Sequence, residues 1–102
     1  MTTAVEDIPM TIAFINDEMK ALKTKITRGK EIYTRMKSVL KGFKKLIPLT
    51  VNSPVTFVKM EEQVEFIKDL IRDKRDQINS NVMLWMRLND WKTECLRQVD
   101  SS

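Results

Sequence analysis

From Ile8 to Ile47 the apolar residues return alternately every four and every three positions. The series is Ile8, Ile12, Ile15, Met19, Leu22, Ile26, Gly29, Tyr33, Met36, Leu40, Phe43 and Ile47. Eleven of these twelve positions are apolar, a heptad repeat that only a helix can present as one stripe. With Ile12, Met19, Ile26, Tyr33, Leu40 and Ile47 at a and the others at d, this seam predicts one helix over about residues 8–47, about 60 Å long. Asp7 ahead of Ile8 and Pro9 reads as its start, because a carboxylate accepts from free amides and proline is tolerated in the first turn. Residues 1–6 carry no periodicity and are expected to fray. Gly29 and Gly42 each weaken the helix by roughly 1 kcal/mol relative to alanine, so a kink near Gly29 is one expectation.

Pro48 disfavours helical geometry at Ile47, which predicts a turn over about 48–53. Ser53 ahead of Pro54 then reads as the cap of a second helix over about 54–99. Its seam is Phe57, Met60, Val64, Ile67, Ile71, Lys74, Ile78, Asn81, Trp85, Leu88, Lys92, Cys95 and Val99, interrupted by Lys74, Asn81 and Lys92. A connection of about six residues makes consecutive helices antiparallel neighbours. Folding the seams about the turn pairs Phe43 with Met60, Leu40 with Val64, Tyr33 with Ile71, Ile26 with Ile78, and Met19 with Trp85. The gap at Gly29 then falls opposite the oversized Lys74. The fold class is therefore all-α: two long helices in an antiparallel coiled-coil-like hairpin, in one domain spanning residues 1–102.

The two edges of such a hairpin differ in chemistry. On the g edge stand Ile32, Val39 and Leu46 of the first helix and Leu70, Leu84 and Trp91 of the second, widened at c by Phe14, Ala21 and Phe66. Two helices cannot bury so broad a stripe against each other, and a single seam hardly offsets roughly 1 to 2 kcal/mol of backbone entropy per ordered residue. Association into a four-helix or larger bundle, as a homo-oligomer or with a helical protein partner, follows through Phe14, Ile32, Val39, Leu46, Phe66, Leu70, Leu84 and Trp91. The competing arrangement is a monomer whose helices break at Gly29 and Gly42 into three or four shorter ones.

The e edge is basic, with Lys23, Lys30, Lys37 and Lys44 on the first helix and Glu61, Lys68 and Arg75 on the second. Position pairing sets Lys44 against Glu61 but Lys37 against Lys68 and Lys30 against Arg75. Between Lys20 and Lys45 there are ten basic residues and one acid, a segment charge of +9 that exceeds the chain's net +4, while the stretch from Phe57 to Asp100, with eight basic and nine acidic residues, is nearly neutral. Two exposed like charges about 7 Å apart repel by roughly 0.6 kcal/mol in water, a tolerable cost. The ordinary reading is a solvated face; the sharper one is an anion-binding edge for nucleic acid, a nucleotide phosphate, an acidic helix or an anionic membrane surface, formed by Lys23, Lys30, Lys37, Lys68, Lys74 and Arg75. No phosphate loop or recognition helix accompanies it, so the signal is electrostatic alone.

The chain contains no histidine, which removes the usual proton carrier near neutral pH and the commonest metal ligand. An enzyme is not expected, nor is a metal or cofactor. Cys95 at a d position reads as a buried structural thiol; being the only cysteine, it points to a reducing intracellular setting, cytoplasmic or nuclear. No apolar run is long enough to span a membrane, and no secretory signal is evident. Trp85, Trp91 and the seven methionines read first as packing residues. Expected function is thus a non-catalytic helical interaction or assembly module, the alternative being a polyanion-binding protein.

Overall fold

The structure, a computed structural model, describes residues 3–101, with side chains described for residues 7–100. Two long helices, α1 (Thr3–Leu46) and α2 (Pro54–Ser101), pack against each other as a hairpin, joined by a 3-10 turn, η1 (Ile47–Thr50). Neither glycine breaks α1, so the arrangement of three or four shorter helices does not form. The helix begins at Thr3, before the expected start at Asp7, and Pro9 lies inside it. The fraying expected over residues 1–6 falls partly outside the described residues. At the other end α2 continues past Val99 to Ser101.

The connection, residues 47–53, is more regular than the sequence suggests. Pro48 lacks the amide for an α-helical bond, yet its fixed φ suits the first turn of a 3-10 helix. Thr50 Oγ1 donates to Ile47 O at 2.7 Å, and the Ser53 amide donates to Thr50 O at 3.0 Å. Ser53 caps α2 through its carbonyl, which accepts from the Phe57 amide at 2.9 Å, while its hydroxyl bonds to Thr56 Oγ1 at 3.0 Å. No described residue has positive φ, which is why the turn needs no glycine.

The seams of both helices carry the packing. All twelve positions of the first, from Ile8 to Ile47, are buried or half-buried, while every other described residue of α1 is exposed. On α2 only Val99 of the seam is exposed, and Lys68 and Val82 join it as half-buried neighbours.

Contacts divide the chain into two compact units, residues 1–27 with 79–102, and residues 28–78. In the first, Ile15, Met19, Leu22 and Leu88 form a buried cluster with Trp85 and Cys95 packed against it, so Cys95 is half-buried. In the second, Val64 and Ile78 are buried. Gly29, also buried, lies in this second unit, and its neighbour departs from the sequence pairing. A Cβ at position 29 would stand 2.9 Å from Ile78 Cγ1 and 3.5 Å from Ile78 Cδ1, with no atom of Lys74 within 4 Å. The gap is thus filled by an aliphatic side chain one turn further along α2 than expected. Lys74 instead bends along its own helix, donating to Gln77 Oε1 at 3.0 Å.

Candidate functional site: the exposed apolar and basic edges

Taking the apolar edge unit by unit, the second carries Ile32, Val39, Leu46, Phe66 and Leu70, and all five are exposed. The helical repeat puts these residues at g and c, on the side away from e, and Gly42 occupies c between Val39 and Leu46. Apart from its own turn of helix, no atom lies within 4 Å of the ideal position of a Gly42 Cβ. In the first unit Phe14, Leu84 and Trp91 are exposed, as are Met10, Met83 and Met86. All eight residues read from the sequence as an interface therefore present side chains to solvent. Across the described residues, six hydrophobic side chains are buried whereas seventeen large ones are exposed. Packing at the seam fully buries few of the large apolar side chains and leaves nearly half of them exposed.

The basic edge arranges its charges differently from the cross-helix pairing. Lys68 Nζ lies 3.3 Å from Glu65 Oε1, and Arg75 reaches Asp76 at 3.5 Å. Lys37 Nζ sits over the Tyr33 ring, 4.8 Å from its centroid, a cation-π contact. The like charges expected to face each other, Lys37 with Lys68 and Lys30 with Arg75, are thus drawn toward neighbours on their own helices, except for Lys30. Ion pairs also join Arg72 to Asp69 and Arg97 to Glu94, so among the described residues every pair lies within α2. The ten cations of α1 between Lys20 and Lys45 are exposed and have no carboxylate within 4 Å. Of the six candidate anion-binding residues, Lys23, Lys30, Lys37 and Arg75 are exposed, whereas Lys68 and Lys74 are half-buried. Lys23 belongs to the first unit and the others to the second.

Beside the turn, the second unit holds an open cleft of about 340 Å³ lined by Lys44, Ile47, Glu61, Val64, Glu65 and Lys68. Ile47 and Val64 supply its apolar lining and the four charged residues the rest. Lys44 and Glu61 share it, as position pairing expects, but they make no ion pair within 4 Å. This cleft is not legible from the sequence because it depends on how the helices are offset.

Among the described residues no group of cysteines and carboxylates is arranged to hold a metal ion, and no helix is long and apolar enough to cross a membrane. No family model matches the chain, and comparison with curated proteins and with solved structures finds no significant match.

Proposed function

We propose that this chain is a non-catalytic assembly module whose hairpin packs its apolar edge against helices of another copy, closing a four-helix or larger bundle. The observation that carries this reading is that all eight large hydrophobic side chains at the g and c positions, Phe14, Ile32, Val39, Leu46, Phe66, Leu70, Leu84 and Trp91, are exposed. Large exposed apolar patches mark interaction surfaces, and the exposed Phe14, Phe66 and Trp91 are aromatic anchors of the kind such surfaces use. Size-exclusion chromatography with light scattering is expected to give a mass at least twice that of one chain, falling on dilution. A mass of one chain at every concentration removes this reading.

A second reading rests on a separate observation, the unpaired cations of α1. An anion laid along Lys30 and Lys37 would find charges that no internal carboxylate neutralises. Binding to a generic DNA duplex is then expected to weaken steeply with salt, log K falling by about 0.9 per phosphate contact for each tenfold rise in concentration. The double substitution Lys30→Gln, Lys37→Gln should weaken binding and flatten that slope. Unchanged affinity in the double variant leaves the lysines as a solvated face.

A further inference from the structure

Within the second unit two observations relate the heights of α1 and α2, the first of them a direct contact. One is Gly29 against Ile78. The other is the cleft that brings Lys44 and Ile47 beside Glu61, Val64, Glu65 and Lys68. Counting from the first contact toward the turn, thirteen residues along α1 lead to Gly42 and twelve along α2 lead to Phe66. Six residues along α1 lead to Arg35, and five along α2 lead to Asp73. Each pair is level to within one residue, about 1.5 Å of helix rise. All four residues occupy c positions on the apolar edge, and all four are exposed.

These two levels are complementary in size and in sign. Gly42 offers no side chain and has open space around it, in a notch flanked by Val39 and Leu46. At its height on the other helix stands Phe66, 59% exposed and flanked by Leu70. A glycine in an exposed helix interior costs roughly 1 kcal/mol relative to alanine, and at Gly42 no other described side chain occupies the space a Cβ would take. Seven residues away on α1, Arg35 has no carboxylate within 4 Å, and Asp73, at its height on α2, has no cation. Within one chain these partners stand side by side on the same face. Facing them requires a second copy turned over.

A twofold axis running along the helices produces that arrangement. It keeps every height and exchanges left for right, so α1 of one copy lies over α2 of the other, antiparallel to it. We propose that a second copy of this chain docks on this face in that way, with Phe66 of each protomer seated over Gly42 of the other between Val39 and Leu46, and Arg35 of each meeting Asp73 of the other. This inference rests on the self-association proposed above and adds to it the partner's orientation and the residues that set it. The contact is isologous, so each complementary pair occurs twice.

The test is a pair of swaps read by sedimentation equilibrium, with circular dichroism to confirm helix content. Phe66→Ala, which empties an anchor used twice, is expected to raise the dissociation constant by about 30-fold or more. Gly42→Phe fills the notch in a place open within the chain and should do likewise. Combining the two moves the ring from one helix to the other and should restore at least a tenth of the original affinity. Similarly, Arg35→Asp and Asp73→Arg should each weaken association by about fivefold or more, and together recover it. If Gly42→Phe and Phe66→Ala leave the dissociation constant unchanged, or if neither swap restores it, the proposed docking is overturned while self-association stands. A wild-type chain that remains monomeric at every concentration overturns both.

Discussion

Leu22→Ala is expected to lower the unfolding free energy by about 3 to 4 kcal/mol, with the midpoint of thermal unfolding falling by roughly 15 °C. Leu22 is 5% exposed and belongs to the cluster of Ile15, Met19 and Leu88, with Trp85 and Cys95 against it. Truncating a buried leucine removes its transfer free energy and leaves a cavity that long helices, held by packing above and below, close only in part. A domain of this size is stable by about 5 to 15 kcal/mol in all, so this one substitution takes a large share. Phe14→Ala, at an exposed position in the same unit, serves as the comparison. Urea unfolding below the concentration at which the protein assembles would check the pair. A Leu22→Ala loss under 1 kcal/mol would mean that this cluster is not the core.

The second large effect concerns Gly29. Leucine there is expected to destabilise the fold by about 2 kcal/mol: overpacking a seam costs up to roughly 3 kcal/mol, and better helix propensity returns about 1. The obstruction is specific. Any Cβ at this position meets Ile78 Cγ1, an atom bonded to Cβ whose place is fixed by the restricted χ1 of a β-branched residue in a helix. The variant Gly29→Leu, Ile78→Ala transfers the bulk from α2 to α1 and is expected to recover most of the loss, giving a favourable coupling of at least 1 kcal/mol in a double-mutant cycle. Gly42→Ala provides the contrast, since its Cβ enters open space and should add up to about 1 kcal/mol below the assembling concentration. Equal effects at the two glycines would contradict the contact with Ile78.

These predictions divide along the same line as what the residue pattern could reveal. Which residues pack was legible at nearly every position, because alternate three- and four-residue spacing specifies a helical stripe without reference to the partner helix. Every seam position of α1 is accordingly withdrawn from solvent. Which residue meets which was not legible. A heptad stripe looks much the same after a slip of one turn, so Gly29 facing Lys74 and Gly29 facing Ile78 satisfy the pattern about equally. The charged edges failed for a related reason. Lysine and arginine side chains are long enough to choose between a partner across the seam and one on their own helix, and Lys68, Arg72 and Arg97 take carboxylates three residues away. The eight residues of the expected interface are exposed as the pattern implied, but the notch at Gly42 needed the helical offset to be seen.

The turn from Ile47 to Ser53 has a bearing on how the chain reaches this state. Gly29 and Ile78 close a loop of roughly fifty residues, whereas Leu22 and Leu88 close one of nearly seventy. Closure entropy grows with the logarithm of length, about 0.6 kcal/mol for each doubling, so lengthening the loop by that amount adds only a few tenths of a kcal/mol. Once the corner between the helices has formed, pairing a heptad further from it therefore costs little more chain entropy than pairing nearer to it.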